Sequence, residues 1–374
     1  MGQLLSDDDV IDRIFEHIDH KTTELGEEIW REPVQNYLSE ERFSAEIGLF
    51  KRIPLPFCPS AALPDTGSYI ARQAAGTPLV VVRGNDGVVR AFRNACRHRG
   101  KTVASGSGCV RSFVCGYHGW TYQLDGRLQH IPHERGFPGV EKDQHGLVPV
   151  TVVERHGVIF VTQEDANSDG ALSECHDMFS PEQELIDVRQ FEDDVNWKLT
   201  AEAGMEGYHI KVTHPKSFYP YGYDNLNLVE TFGPSSRITF PFRRIEKLRN
   251  VPRAERRIDG MLTYAHNLFP NVLLAVLSNH TVMQISEPVS PSKTKFITYR
   301  LTNKGGAGSN LDMAQVKRDA DFVSTTGAVE DQDVVRAIQE GLASEANSHF
   351  TYGHYEKAIM HFHKTMAELL AGDR

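Results

Sequence analysis

The chain has 374 residues and only five cysteines: Cys58, Cys96, Cys109, Cys115 and Cys175. An odd, sparse set in a long chain excludes a disulfide framework. It points to a reducing compartment, with a metal or catalytic use for some of the thiols. Long apolar runs are also missing. The longest aliphatic run, Val272–Leu277, falls far short of the roughly 20 apolar residues of a membrane span. Met1–Leu5 leads straight into Asp7-Asp8-Asp9, with no basic region and no apolar core behind it. No secretory signal is expected, and the expected location is cytoplasmic. The first six residues fit a myristoylation pattern, but the aspartates after them would repel anionic lipid, so no membrane partner is expected. An excess of positive charge is absent too: 40 basic against 50 acidic residues leave −10. That excludes a general nucleic-acid binder, which needs a basic face to displace phosphate counterions. The one basic cluster, Arg249–Arg257, reads as solvated surface.

What is present is an ordinary globular composition, 40% hydrophobic and 24% charged, long enough for two or three domains. Val10, Ile11, Ile14, Phe15 and Ile18 carry helical spacing, so one or two amphipathic helices are expected before residue 50. From about Leu55 to Val161, short apolar runs alternate with glycine turns. Asn85-Asp86-Gly87 and Asp125-Gly126 are hairpin signals, and the segment reads as a small all-β domain. Polar residues 163–174 read as a linker. Helical spacing at 196–213, strand-like runs between 226 and 302, a loop at Gly305–Asn310 and helical texture from about Leu311 to Leu370 complete an α+β pattern.

Cys96-Arg97-His98-Arg99-Gly100 and Cys115-Gly116-Tyr117-His118-Gly119-Trp120 each offer one thiolate and one imidazole. Sixteen residues separate His98 from Cys115, enough for a hairpin that brings the two loops together. Zinc sites usually group Cys with Cys and His with His. One of each per loop suits a two-iron cluster, with both Cys on one iron and both His on the other. A structural zinc site is the competing reading. Gly100, Gly116 and Gly119 let backbone N–H groups approach the sulfides. Cys58, Cys109 and Cys175 read as ordinary thiols.

His209 and His214 would stand about 140° apart on an ideal helix. Pro215 disfavours helical geometry at the residue before it, so the helix should loosen near Thr213 and let His214 swing toward His209. Two imidazoles so placed need one carboxylate to complete the facial triad of a mononuclear iron(II) site. Asp331 falls in line with Val334, Val335, Ile338 and Leu342, whereas Asp333 points away from that stripe. A carboxylate on an apolar stripe is costly unless paired or metal-bound. Asp331 is therefore the expected third ligand, with Glu330 in reserve.

Residues 55–162 resemble a Rieske [2Fe–2S] domain, on Cys96, His98, Cys115, His118 and the Tyr117/Gly119/Trp120 setting. Respiratory Rieske proteins carry an extra Cys in each ligand loop, and neither loop has one here. The order of motifs along nearly the whole chain resembles the Rieske non-haem iron oxygenases, the family of ring-hydroxylating dioxygenase α subunits and related monooxygenases and demethylases. The resemblance includes Asn196-Trp197-Lys198, the Glu206…Tyr208-His209…His214-Pro215 run, Phe269-Pro270-Asn271, Glu330-Asp331 and Gln339. It implies N-terminal helices (1–45) packing on the catalytic domain, a Rieske domain (46–162), and a helix-grip, START-like catalytic domain (163–374) with an antiparallel sheet and long C-terminal helices. It implies a [2Fe–2S] cluster, mononuclear Fe(II), dioxygen, a homotrimer, and electrons from NAD(P)H through a separate reductase or ferredoxin. It also implies that Glu206 bridges a Rieske histidine of one subunit to His209 of the next. The expected reaction is hydroxylation of a small aromatic substrate, as in aromatic hydrocarbon catabolism. Alternatives are oxidative N- or O-demethylation, oxidation of a quaternary amine, or an electron carrier without oxygenase activity. The pocket should be lined from the 226–302 strands and the C-terminal helices, with Phe232, Phe240, Phe242, Leu273 and Met283 as candidates. Two departures stand out. Glu206 occupies a position where naphthalene-type members have Asp, and Glu occurs there in members acting on quaternary amines. Ala203 stands where an Asn is frequent.

Overall fold

Asp86-Gly87 and Asp125-Gly126 reverse the chain as their residue types require, with Gly87 at φ +78° and Gly126 at φ +88°. At Gly126 a side chain would collide with the Phe92 ring, so the turn needs glycine twice over. The computed structural model describes residues 4–164, 172, 175–303 and 313–372. The chain divides into two units, Phe50–Pro181 and Met1–Leu49 with Glu182–Arg374. Most of the 163–174 stretch, and all of the Gly305–Asn310 loop, lie outside the described residues.

The smaller unit holds a seven-stranded antiparallel sheet. Its order is Leu55–Pro59, Val158–Thr162, Pro149–Arg155, Val89–Arg93, Thr77–Arg83, Ser68–Ala74 and Gly106–Cys109. A second sheet joins Phe113–Val114, Thr121–Tyr122 and Leu128–His130. Phe92, Phe113, Trp120, Tyr122 and Leu128 pack around Cys96 and Cys115 in one apolar cluster. The unit continues past Thr162 because Met178 and Phe179 return to donate to His156 O.

In the larger unit six strands run as a meander from Leu228–Phe232 to Lys293–Thr302, and Leu185–Asp193 adds to the far edge beside Lys293–Thr302. The Lys357–Ala371 helix buries Ile359, Met360, Phe362 and Met366 on one face. The Asp7–His20 helix buries Val10, Ile11, Ile14 and Phe15 against Leu228, Ile245 and Tyr264. Its acidic face pairs with the basic cluster: Arg249 with Asp19, Arg253 with Asp9 and Asp12, Arg256 with Asp12. The cluster is thus a partnered surface of the fold rather than a merely solvated one.

The helical texture expected from Leu311 to Leu370 is interrupted. Helices Met313–Thr325 and Gly327–Leu342 are followed by the strand His349–Tyr352, which pairs with Trp30–Pro33. A partner more than 300 residues away leaves no trace in local spacing. The apolar stripe expected to include Asp331 follows a different line. Val334 and Ile338 are exposed, and the buried line of the helix is Gly327, Val335 and Leu342. Asp331 lies on that line, four residues from both Gly327 and Val335.

The Asn196-Trp197-Lys198 motif is structural. Asn196 Oδ1 caps the Trp197–Ala203 helix by accepting from Lys198 N–H at 3.0 Å, and its own N–H is held by Gln339 Oε1 at 2.7 Å. Trp197 Nε1 donates to Glu46 at 3.0 Å, and Lys198 Nζ reaches both Glu46 oxygens at 2.9 Å, all buried. Among the described residues no helix is long and apolar enough to cross a membrane.

Candidate functional site

Two loops of the smaller unit repeat one backbone pattern. Cys96 N–H donates to Lys101 O at 2.8 Å, and Gly100 N–H donates back to Cys96 O at 2.8 Å. Cys115 N–H donates to Trp120 O at 2.8 Å, and Gly119 N–H to Cys115 O at 3.0 Å. Each turn closes on a glycine in the left-handed region, Gly100 at φ +76° and Gly119 at φ +75°. Cys96 and Cys115 are buried and free of disulfides. The His98 and His118 ring centroids lie 4.6 Å apart, and His98 stacks on Trp120. His98 Nδ1 is buried without a hydrogen-bond partner among the described residues. An orphaned imidazole nitrogen is costly unless something binds it. Two thiols and two imidazoles so placed fit a cluster with Cys on one iron and His on the other.

Tyr122 escaped the reading of the sequence. Its hydroxyl lies 3.2 Å from Cys96 Sγ and accepts from Arg97 N–H at 2.9 Å. With the amide occupying a lone pair, the hydroxyl proton is free to point at the sulfur. Register places it there, since Tyr122 pairs with Phe113 next to the second ligand loop. No spacing rule announces such a contact.

In the larger unit the Ile210–Thr213 helix stops before Pro215, and His214 leaves helical geometry at φ −114°, ψ 44°. The two rings therefore converge, with centroids 5.2 Å apart. Asp331 Oδ1 lies 2.9 Å from His214 Nε2 and 3.4 Å from His209 Nε2. One ligand atom from each of His209, His214 and Asp331 falls within 4.8 Å of the others. Two imidazoles and one carboxylate on one side of a cavity are the donor set of a facial iron triad. Burial alone would push His209 down. Asp331 and Glu206 overturn that and hold its pKa at about 10. Burial likewise opposes ionisation of Asp331, yet the two histidines keep its carboxyl below the ordinary value. Without an ion, the triad is glued by protons that a metal must displace.

The Nδ1 atoms face the other way, each onto a glutamate. Glu206 Oε1 holds His209 Nδ1, and Glu206 Oε2 accepts from His209 N–H at 3.1 Å and from Tyr208 N–H. Glu330 Oε2 holds His214 Nδ1 at 2.7 Å and accepts from Ser217 Oγ at 2.5 Å. Glu330, the reserve candidate, thus stands behind His214 and not among the three that converge. Its neighbour Asp331 takes the metal side because adjacent helical residues point about 100° apart. The Tyr208 ring is exposed and stacks on Tyr355.

The triad opens into a cavity of about 820 Å³. Phe240, Phe242 and Leu273 line it as expected, joined by Phe218 and Tyr223. Phe232 and Met283 are buried core instead and do not line it. Ala203 contributes a wall with no amide.

Two family profiles match. "Ring hydroxylating alpha subunit (catalytic domain)" covers residues 183–372, and "Rieske [2Fe-2S] domain" covers residues 54–164. The chain belongs to the ring-hydroxylating oxygenase alpha subunits. Members of this family are Rieske non-haem iron mono- and dioxygenases, holding a [2Fe–2S] cluster and a mononuclear iron. The carnitine monooxygenase oxygenase subunit of Escherichia coli is 26% identical over 380 residues, covering 92% of this chain and 94% of that protein. The glycine betaine monooxygenase oxygenase subunit of Chromohalobacter salexigens is 37% identical over 161 residues, covering 41% of this chain and only 36% of that protein. A crystal structure of a quaternary ammonium Rieske monooxygenase with an inhibitor superposes with TM-score 0.79 at 22% identity, covering 99% of both chains. In this alpha subunit, then, the two Cys/His loops and the helix that breaks at His214 are the two candidate centres.

Proposed function

We propose that this alpha subunit is the terminal oxygenase of a multi-component system and that its substrate is a small quaternary amine. The observation that carries the reading is the convergence of His209, His214 and Asp331 at the wall of a largely apolar cavity. Cys96, His98, Cys115 and His118 would hold the cluster, and the triad would hold iron(II). When bound, the two groups would supply single-electron transfer, with electrons drawn from NAD(P)H by a separate reductase or ferredoxin, and activation of dioxygen.

The chain's own residues do the rest. Glu206 and Glu330 fix the imidazole tautomers, each accepting the Nδ1 proton so that Nε2 faces the metal position. Phe218 packs against His214 at 4.8 Å between centroids. With Phe240 it gives the metal end of the cavity aromatic faces, which attract a quaternary ammonium group and exclude water. Named relatives oxidise carnitine and glycine betaine, and Glu206 replaces the Asp of naphthalene-type members. These two points favour an amine over the aromatic hydrocarbon expected first, which the same apolar walls would also accept. The reading further gives Glu206 the task of joining its own His209 to His118 of a neighbouring copy in a cytoplasmic homotrimer. Glu206 Oε2 already accepts two backbone N–H groups of its own chain and Oε1 one ring nitrogen, so one lone pair on Oε1 is left for that contact.

The test is substrate-dependent oxygen uptake with NADH and a reductase, on carnitine, glycine betaine, choline and naphthalene, with iron counted per chain. About three irons and uptake driven by an ammonium compound are expected. Two irons and no substrate-driven uptake would leave only an electron carrier.

A further inference from the structure

The Arg243–Asn250 segment and the residues just after it carry basic side chains that fare differently. Arg249, Arg253 and Arg256 all meet carboxylates of the N-terminal helix. Arg243 and Arg244 meet none among the described residues, and both line the cavity. Arg243 lies between two rings, 5.6 Å from the centroid of Tyr219 and 5.4 Å from that of Tyr223. Arg244 lies 4.8 Å over Phe242 and spends one Nη2 bond on Ser278 Oγ at 3.0 Å. Stacking orients a guanidinium without neutralising it. The cavity's acidic groups are engaged elsewhere. Asp319 is taken by Asn279 and by Gln315 Nε2, Asp331 by the triad, and Glu206 by His209. His280, beside Asn279, also lines the cavity; it is 1% exposed, and neither ring nitrogen has a partner among the described residues. Arg243 and Arg244, both exposed, thus bring to the cavity wall two ring-stacked guanidiniums that no described carboxylate pairs with, while the buried His280 imidazole stands uncharged in the same wall as Asp319.

We propose that Arg243 and Arg244 form an anion subsite in the cavity wall, so that the substrate bears a carboxylate in addition to the group presented to the triad. A planar guanidinium fork matches a carboxylate in two parallel hydrogen bonds. The subsite separates betaine-type molecules, which carry both charges, from choline-type molecules, which carry only the cation. It rests on the oxygenase reading only in taking the triad as the other end of the same cavity.

Isothermal calorimetry on the purified protein tests it with two matched pairs: 4-(trimethylammonio)butyrate against its methyl ester, and phenylacetate against phenylacetamide. Each pair loses one negative charge; the amide keeps the shape of its carboxylate, and the ester adds one methyl group. The expected result is that at least one carboxylate binds about ten- to a hundredfold tighter than its neutral partner. The ratio should fall to about one in the R243Q/R244Q double variant and recover in part in R243K/R244K. A ratio near one in the unaltered protein, an unchanged ratio in the double variant, or no binding of either carboxylate overturns the subsite. The cluster's visible absorbance checks that each variant is folded. Charge discrimination without substrate-driven oxygen uptake would sink the oxygenase reading and leave the subsite standing. Discrimination confined to the phenylacetate pair would sink only the amine.

Discussion

Replacing Glu330 separates a group that binds iron from a group that holds an iron ligand. Its Oε2 is 2.7 Å from His214 Nδ1 and 2.5 Å from Ser217 Oγ, while the His214 ring is 1% exposed. The carboxylate is therefore the sole described anchor of a buried imidazole on its non-metal side. A charge-assisted hydrogen bond of this kind contributes about 1.5–3 kcal/mol. The Glu330 side chain is about a third exposed, which screens its charge and argues for the lower half of that range. Glu330→Gln keeps the shape and one acceptor, so iron affinity should fall about tenfold or less. Glu330→Ala removes the anchor and leaves His214 Nδ1 and Ser217 Oγ without it, and a loss approaching a hundredfold is expected. Asp331→Ala should release the mononuclear iron altogether. The assay is competition of Fe(II) against a coloured chelator, with the cluster's absorbance as internal control for folding. Affinity within twofold of the unaltered protein in Glu330→Ala would refute the anchoring argument. Loss as complete as in Asp331→Ala would refute it from the other side, by making Glu330 a ligand.

Two further outcomes follow from the same geometry. Tyr122→Phe removes the hydroxyl beside Cys96 Sγ and should lower the cluster's reduction potential by on the order of tens of millivolts, read by redox titration with the iron count unchanged. An unchanged potential would mean that the hydroxyl does not bond to the sulfur. Acidification should weaken iron loading. The metal-free His209 is protonated below its raised pKa of about 10, so each metal ion bound must expel that proton, and affinity should climb about tenfold per pH unit between pH 6 and 8. A flat profile measured by the same chelator competition would show that the triad holds no proton.

The residues gathered at the two candidate metal centres were legible because their chemistry is rare. Cys-x-His and Cys-x2-His announce themselves, and Pro215 foretells the break that turns His214 toward His209. Asp331 was reachable because a carboxylate on a buried helical line demands a reason, although the line itself runs through Gly327 and Val335 and not through the exposed Val334 and Ile338. Non-local pairing was not legible. Strand His349–Tyr352 exists because Trp30–Pro33 lies beside it, and nothing within ten residues of His349 says so. The edge strand Leu185–Asp193 is hidden for the same reason, its partner being Lys293–Thr302.

The groups behind the ligands were the hardest to see, and the physical reason is general. A ligand is constrained by element and donor type, but its supporting partner needs only a hydrogen-bond acceptor at the right place, which half a dozen residue types can supply. Glu330 looked like a ligand because it sits beside one. Only the helical rotation of about 100° between neighbours decides that Asp331 meets Nε2 and Glu330 meets Nδ1. That rotation makes the Glu-Asp pair a two-sided clamp on a single imidazole: one carboxylate holds Nδ1 and the other meets Nε2. Glu206 clamps His209 from three residues upstream, so the two histidines are held by carboxylates from different directions. With both rings fixed from behind, the spacing between their Nε2 atoms is set by the protein and not by the ion. Such a site should therefore keep its geometry through cycles of metal loss and uptake.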